Sequence, residues 1–403
     1  MRIVLLNQYY LPAEAPTAVL AADLLQALAA RGHDVHALAS SRAYNDPATS
    51  YPRSETLDGV SVRRTRTSGF GRGGKLGRLI DYVTYLLGSA WRLWRMPRPD
   101  LVIAMTTPPM LARVVLPICR RRRSKLLYWA MDLYPDVAFA LGVLRPDGLI
   151  GRALRRASDQ VVARADRTVA LGAGMAALLE SQGARRVDVI DNWCDGDAIR
   201  PRPREEHPIR RRHGWDGKFV VLYSGNMGLA HEFDTVLDAA RELADRGDIV
   251  FAFVGGGARM AEIERGAAER ALKAAEFHPW VEPVELADGL TAGDLHLITL
   301  RDGIESLLVP SKIYGVLAAG RPALHVGPAG STVAEILSDA GCGASVGCGQ
   351  AGDLAREILR YADDPALCSE HGRNARDAFD RRYARPLALR RFTELVEACD
   401  DSV

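Results

Sequence analysis

The sequence predicts an α/β protein made of two doubly wound, Rossmann-like domains that face each other across a cleft. Short apolar segments alternate with helical segments along most of the chain, which is typical of parallel sheets covered by helices on both faces. The alternation stops at residues 196–216 and then starts again. A length of 403 residues also favours two domains over one.

The first series predicts an N-terminal domain at residues 1–195. It opens with an apolar strand at residues 2–7 and a helix that Thr17 caps and Gly32 ends. Further strands are predicted at residues 33–40, 59–66, 100–106, 124–130, 167–172 and 187–192, with helices at 76–95 and 148–164.

Residues 196–216 are rich in Pro, Arg and Gly without apolar periodicity, and they predict a linker. A second domain is predicted at residues 217–383, and a last helix, at about 384–403, would cross back to the first domain. Its strands are predicted at residues 218–225, 248–257, 294–300 and 321–327, with helices at 232–246, 258–272, 312–319, 331–340 and 352–361.

Composition favours a cytoplasmic location. No run of 18 apolar residues predicts a membrane span, the first residues lack a signal-peptide layout, and the six cysteines are scattered. Residues 1–200 carry 28 Lys and Arg against 18 Asp and Glu, a balance of +10, whereas residues 201–403 have a balance of −8. The basic half indicates either an anionic partner or a solvated arginine-rich surface, and no nucleic-acid motif is present.

Residues 78–96 combine apolar side chains at helical spacing with arginines. Such a helix fits the anionic inner face of a membrane, or equally a core helix with arginines at its rim. The residues concerned are Leu79, Val83, Leu86, Leu87, Trp91 and Trp94, with Arg78, Arg92 and Arg95, and Arg120 to Arg123 nearby in sequence.

Two further motifs are weak. Residues 69–76 nearly match a phosphate-binding loop, but Leu76 replaces the hydroxyl residue that such loops use for magnesium. Asp195-Gly196-Asp197 resembles a metal signature, although a turn and helix cap is the favoured interpretation. No metal and no other cofactor is expected.

Three features of the second half predict a phosphate site. Glycines end two successive strands, at residues 224–228 and 255–257, where they let the backbone approach a ligand. Pro310-Ser311-Lys312 then opens a helix, and a helix N-terminus attracts anions. The chain has 47 Arg but only 5 Lys, and a lysine in a helix's first turn opposes the dipole unless an anion lies there.

The segment PSKIYGVLAAGRP, residues 310–322, is similar to the donor-site segment of retaining GT-B glycosyltransferases of family 4, also called group 1. The bacterial amino-sugar transferases of surface-polysaccharide assembly resemble it most. Further similar segments are residues 107–109, 132–135, 191–193 and 223–228. The resemblance implies a metal-independent transferase that moves a sugar from a nucleotide-sugar substrate, with UDP favoured and GDP as the alternative. The implied acceptor is polyprenyl-linked or a small natural product, in polysaccharide or antibiotic biosynthesis.

The resemblance also implies site residues. The implied catalytic residues are Glu305, Lys312 and Asp132. Glu305 would contact the donor sugar, and Lys312 with the backbone amides of 311–313 would hold the phosphates. Asp132 would be a general base, or would only orient the acceptor or pack structurally. The implied donor-binding residues are Gly225, Asn226, Gly228, Gly256, Gly257, Trp280, Ser311, Lys312, Ile313 and Glu335. The implied acceptor-binding residues are Tyr9, Tyr10, Glu14, Thr17 and Asp132.

Two departures from the family pattern leave alternatives open. The family's second glutamate, which grips the ribose hydroxyls, falls at Gly315, and losing such an acceptor costs about 1.5–3 kcal/mol. Glu335 could substitute, the donor could bind differently, or binding could be weak. His231 stands where many relatives carry Arg or Lys, which places more phosphate charge on Lys312. A catalytically silent nucleotide-sugar binding module and a GT-B sugar-nucleotide epimerase are the alternative functions.

Overall fold

The computed structural model describes residues 1–43, 49–68, 75–204 and 207–400, without the side chains of Lys75, Leu76, Arg78 and Pro283. Residues 69–74 of the glycine-rich stretch lie outside the described residues. The chain forms two compact units, one of Met1–Asp191 with Ala388–Val403 and one of Asn192–Leu387. Each unit holds one sheet with helices around it, which confirms the predicted α/β class with two Rossmann-like domains.

The first unit contains an eight-stranded sheet in the order β3-β4-β2-β1-β5-β6-β7-β8, in which only the β3–β4 pair is antiparallel among the described strands. The strands are β1 (Arg2–Leu6), β2 (Asp34–Ser40), β3 (Ser54–Leu57), β4 (Val60–Thr65), β5 (Leu101–Met105), β6 (Lys125–Trp129), β7 (Arg167–Ala170) and β8 (Val187–Val189). The helices are α1 (Pro16–Ala30), α2 (Lys75–Arg95), α3 (Leu111–Arg122), α4 (Asp136–Ala140), α5 (Leu149–Val162) and α6 (Ala173–Ser181).

The prediction that Thr17 caps the first helix is wrong. Helix α1 begins at Pro16 after Ala15, whose side chain offers no cap, and proline suits a first helical position because its missing N–H has no helical partner there. Thr17 lies inside the helix, and its Oγ1 accepts a hydrogen bond of 3.1 Å from Asn7 Nδ2. The threonine therefore connects the helix to the segment after β1.

The second unit contains a six-stranded parallel sheet in the order β11-β10-β9-β12-β13-β14. Its strands are β9 (Phe219–Asn226), β10 (Ile249–Gly256), β11 (Ala275–His278), β12 (Leu295–Thr299), β13 (Ala323–Val326) and β14 (Gly343–Val346). The helices are α7 (Pro208–His213), α8 (Asp234–Glu242), α9 (Met260–Glu269), α10 (Leu286–Thr291), α11 (Lys312–Ala318), α12 (Thr332–Ala340), α13 (Ala351–Asp363) and α14 (Pro365–Ala378), with a 3-10 turn at Pro283–Glu285 and a π-helical turn at Phe379–Tyr383. The last helix, α15 (Arg385–Glu397), starts in this unit and belongs to the first unit from Ala388 onward.

The strand orders locate the ligand edge of each sheet. The direction of the connections reverses between β1 and β5 in the first unit and between β9 and β12 in the second. In open parallel sheets, ligands bind at the carboxyl ends of the strands beside such a reversal. The segments after β9 and β12 therefore border the expected crevice of the second unit.

The predicted linker at residues 196–216 is wrong, because this stretch is packed into the second unit. Arg210 is buried, and its Nη1 donates to Ala292 O at 2.8 Å and to Asp294 Oδ2 at 3.0 Å. Trp215 is buried as well and packs with Val220 and Val250. Pairing with a buried carboxylate offsets the cost of taking an arginine out of water. An arginine-rich composition therefore does not show that a stretch is exposed, and the linker prediction failed for that reason.

The C-terminal residues belong to the first unit. The ring centroids of Phe392 and Trp129 lie 4.6 Å apart, and Glu397 pairs with Arg31 at 2.6 Å. Within the described ranges, none of the helices has the length and apolarity that a membrane span requires.

Candidate functional site

The glycine-rich ends of β9 and β10, with the residues that follow each strand, lie at the carboxyl edge of the second sheet and are named here the glycine turns. Gly225, Gly255 and Gly257 have φ angles of +132°, +134° and +150°, which side-chain-bearing residues rarely adopt. A Cβ on Gly255 would lie 2.3 Å from Gly225 O, and one on Gly257 would lie 2.5 Å from Met227 O. The two glycine turns thus pack backbone against backbone, which only glycine permits.

Further predicted donor residues surround these turns. The Asn226 side chain lies between Gly228 and Gly257. A Cβ on Gly228 would lie 2.9 Å from Asn226 Nδ2, and a Cβ on Gly257 would lie 2.7 Å from Asn226 Oδ1. Trp280 is 59% exposed, and its Nε1 lies 3.0 Å from the Cβ position of Gly256. The structure therefore brings these five predicted residues, together with Gly225, to one edge of the sheet.

Lys312 extends its ammonium group to the same turns. Its Nζ lies 3.6 Å from the Cβ position of Gly225 and 3.6 Å from the ring centroid of Tyr223. The Nζ is buried, and no hydrogen-bond partner for it exists among the described residues. Burial lowers the pKa of this lysine well below its usual value. A buried cation without a counter-charge is costly, and an anion at the glycine turn would relieve that cost.

Glu305 lies in the segment between β12 and α11. In the part of the chain that the structure describes, its Oε2 is buried and has no hydrogen-bond partner. The segment is attached to the turn after β9, since the Arg301 N–H donates to Ala230 O at 2.9 Å. A free carboxylate oxygen here can accept a hydrogen bond from a ligand hydroxyl.

The remaining predicted donor residues are less directly placed. Ser311 is exposed before α11, whereas Ile313 is buried and its N–H donates to Pro310 O at 3.3 Å. Glu335 is exposed in the first turn of α12 and, over the described ranges, makes no hydrogen bond or ion pair with the glycine turns. A Cβ on Gly315 would lie 3.1 Å from Leu290 Cδ1, so this position faces an apolar side chain.

Three further residues support the surroundings of Lys312, and of these only His231 was singled out from the sequence. His231 donates from Nδ1 to Thr299 O at 2.7 Å, and burial together with the Lys312 charge lowers its pKa to about 3. Arg259 donates to His231 O and pairs with Glu262. Tyr223 supports the ammonium through its ring. Tyr223 opens the similar segment 223–228 but had no predicted role, and Arg259 was missed because it is one of 47 arginines.

In the first unit, Asp132 follows β6 at the carboxyl edge. Its N–H donates to Thr106 Oγ1 at 3.3 Å, and it lines a pocket with Thr106, Tyr128, Tyr134 and Ser158. Burial raises the pKa of the Asp132 carboxyl to about 6. A carboxyl that titrates near neutral pH suits the acceptance of a proton from a hydroxyl.

The predicted acceptor residues after β1 form one segment. Asn7 organises it, because its Nδ2 donates to Tyr9 O at 2.8 Å as well as to Thr17. Glu14 is exposed, whereas Tyr10 is buried, so its side chain does not reach the surface of this segment. The Gln8 N–H donates to Thr107 O at 2.8 Å, which joins the segments after β1 and β5 at the reversal point.

Two protein families match the chain in succession. The glycosyl transferase 4-like domain matches residues 17–193, and the glycosyl transferases group 1 domain matches residues 205–378. The second match contains both glycine turns and Lys312.

Three named proteins are similar in sequence. The chain is 30% identical over 305 residues to the probable glycosyltransferase WbjE of Pseudomonas aeruginosa, covering 75% of each chain. It is 25% identical over 346 residues to WcaI of Escherichia coli K12, provisionally named a colanic acid biosynthesis glycosyl transferase, covering 79% of this chain and 82% of WcaI. It is 29% identical over 255 residues to the 2-deoxystreptamine glucosyltransferase of Streptomyces kanamyceticus, covering 60% and 62%.

Solved structures share the fold. Sucrose-phosphate synthase of Thermosynechococcus elongatus matches with a TM-score of 0.81 at 16% identity, over the whole of both chains. Alr3699/HepE of Anabaena, solved in complex with UDP, matches with a TM-score of 0.75 at 15% identity, over 99% of this chain and all of HepE. These likenesses confirm the predicted fold class.

Proposed function

This chain belongs to the glycosyl transferases group 1 family and is a glycosyltransferase, and from that premise we propose its substrates and its chemistry. The donor is a nucleoside diphosphate sugar, with UDP preferred and GDP as the alternative. The sugar passes with retention of anomeric configuration to a polyprenyl-linked or small-molecule acceptor. UDP in the HepE structure supports the donor, and the colanic acid and 2-deoxystreptamine relatives support the two acceptor classes.

The observation that carries this proposal is the unpaired ammonium of Lys312 against the Gly225 turn. As the bond to the anomeric carbon breaks, negative charge develops on the departing diphosphate. A buried cation that is already in place stabilises this charge without having to reorganise. The glycine turns let phosphate oxygens come close to the backbone, where a side chain would exclude them.

The rest of the donor is assigned by chemistry. Glu305 accepts a hydrogen bond from a sugar hydroxyl through its unpartnered oxygen. Trp280 offers an exposed indole beside Gly256, on which a base can stack. Because Gly315 faces Leu290, the ribose hydroxyls are not held from that position, and Glu335 is the proposed substitute.

The acceptor is assigned to the first unit. Asp132, with its raised pKa, accepts the proton of the acceptor hydroxyl or orients that hydroxyl. Tyr9 and Glu14, in the segment after β1, are the proposed acceptor contacts. The buried Tyr10 and the Asn7-bound Thr17 act by shaping that segment.

A donor screen tests the proposal. UDP, GDP and TDP are added separately to the purified chain, and thermal unfolding is followed; we expect UDP to raise the melting temperature most. UDP-sugars that bind are then incubated with candidate acceptors, UDP release is measured, and NMR of the product reports the anomeric configuration. A larger shift with GDP would overturn the UDP preference, and an inverted product would overturn retention.

A further inference from the structure

We propose that one face of α2 docks onto an anionic lipid bilayer. The face is named here the α2 stripe and consists of Leu79, Val83, Leu87, Trp91 and Trp94. This inference concerns a surface of the first unit and does not depend on the donor or acceptor proposed above.

The α2 stripe is an apolar surface that the protein leaves uncovered. Its five side chains are between 43% and 64% exposed. They are spaced by three or four residues, so they follow one side of the helix for about 22 Å. Single exposed apolar residues are ordinary, but a continuous row of five that includes two tryptophans indicates a surface with a partner.

A groove rich in arginine runs beside the α2 stripe. Arg63, Arg92 and Arg95 line it together with Trp91 and Met96. In the described part of the chain, none of these three arginines has an ion-pair partner. Burial and the neighbouring charges of Arg53 and Arg63 lower the pKa of Arg92. Unpaired like charges held together attract an anion from outside the protein.

The helix and the strand behind it build this groove together. A Cβ on Gly88 would lie 2.1 Å from Thr65 Cγ2, so only glycine lets α2 approach β4 at this level. The close approach brings Arg92 and Arg95 to the same groove as Arg63 of β4. The arginines are therefore positioned by the packing of the core, unlike a scatter of surface charges.

Arg95 of the groove and Arg121 of α3 each lie over a tryptophan of the α2 stripe. Arg95 Cζ lies 4.4 Å from the Trp91 ring centroid, and Arg121 Cζ lies 5.7 Å from that of Trp94. Arg122 anchors the end of the helix by donating to Leu93 O at 2.8 Å. Tryptophan favours the depth of the lipid headgroups, where arginine can reach the phosphates while apolar side chains enter the acyl region. An anionic bilayer offers acyl chains to the apolar α2 stripe and phosphates to the arginine groove at the same surface, which favours a bilayer over a protein partner.

Vesicle flotation of the full chain tests the inference. The vesicles are phosphatidylcholine alone, or phosphatidylcholine with an equal amount of phosphatidylglycerol, at low ionic strength. We expect binding to the anionic vesicles about tenfold stronger than to the neutral ones, and a loss at high salt. Leu87→Ser with Trp91→Ser should weaken anionic binding about tenfold, and Arg92→Gln with Arg95→Gln should remove the preference for phosphatidylglycerol.

Val19→Ser is the matched control, since Val19 is 46% exposed on α1, outside the α2 stripe. It should float like the unmodified protein, and circular dichroism should show that all variants are folded. The inference is overturned by an absence of binding to anionic vesicles, by equal binding to both vesicle types, or by unchanged flotation of the Leu87/Trp91 variant. It is also overturned if the Leu87/Trp91 variant floats like the unmodified protein but has a lower oligomeric mass by sedimentation. The α2 stripe would then be an interface between protein chains.

Discussion

Replacing Lys312 by methionine separates the charge of this residue from its volume. Methionine has a similar length and no charge, and Lys312 Nζ has no hydrogen-bond partner among the described residues. The substitution therefore removes the cation beside the Gly225 turn and its contact with the Tyr223 ring, and it breaks no hydrogen bond of Nζ to a described residue.

Donor binding and turnover should fall by different amounts. Losing one charge-assisted contact to a phosphate costs about 1.5–3 kcal/mol, which weakens UDP binding about 10- to 150-fold. In the transition state the diphosphate carries more charge. Removing a preorganised stabilising group there costs about 2.7–4 kcal/mol, or about 100- to 1000-fold in kcat.

The folding stability should move in the opposite direction. The unpartnered ammonium is desolvated in the folded protein, which holds its pKa well below 10.5. Below pH 10.5 the unfolded chain thus binds more protons at this site than the folded chain, so the lysine destabilises the fold increasingly as pH falls. Lys312→Met lacks this penalty, and its melting temperature should exceed that of the unmodified protein most at the lower pH values.

The assays are titration of UDP by calorimetry, UDP release from the donor that binds best, and thermal unfolding at two pH values. Lys273→Met is the matched control, because Lys273 is exposed and lies after α9, away from the glycine turns. It should change none of the three readouts. Unaltered UDP affinity and turnover in Lys312→Met would refute the assignment of the phosphate site, and a lowered melting temperature would refute the account of its burial.

Other residues give three further tests. Burying the ionised Asp132 carboxylate destabilises the wild-type fold, and this cost grows between about pH 4 and pH 6. Asp132→Asn lacks the cost, so its melting temperature relative to that of the wild type should rise across that pH range and stay constant above it. Gly257→Ala should cost about 1–3 kcal/mol of unfolding free energy and weaken UDP binding, because its Cβ would meet Met227 O. Gly32→Ala, with positive φ but nothing within 4 Å, should leave UDP binding unchanged. Trp280→Ala should raise the donor KM with an unchanged melting temperature, since its ring is largely exposed; an unaltered KM would contradict base stacking.

The strands were predictable because each is a local pattern. Residues 101–105 are buried throughout, as a central parallel strand requires, and they appear in the sequence as an unbroken apolar run. Strand β3 was missed because it is a short antiparallel edge strand with the polar sequence SETL. Helix α3 was missed because it contains Pro117 and ends in a run of arginines, both of which interrupt a helical pattern.

The start of the second unit was not predictable from composition, because residues 196–216 have the composition of a linker and yet belong to that unit. Arg210 becomes a buried residue only because Asp294, 84 positions along the chain, supplies its carboxylate. A stretch that is polar in sequence can therefore be core in the fold, whenever its charge meets a partner that sequence distance conceals.

The sequence by itself determined where glycines end the strands and where a lysine begins a helix, because backbone conformation and strand ends depend on neighbouring residues. Only the tertiary structure decided that the Lys312 Nζ reaches Gly225, lies over the Tyr223 ring and has no hydrogen-bond partner in the described part of the chain. Burial and pairing depend on side chains that are nearly ninety residues apart in sequence. Whether the Lys312 charge is available to a ligand is thus a property of the folded unit, because it depends on whether the fold supplies a hydrogen-bond partner for Nζ.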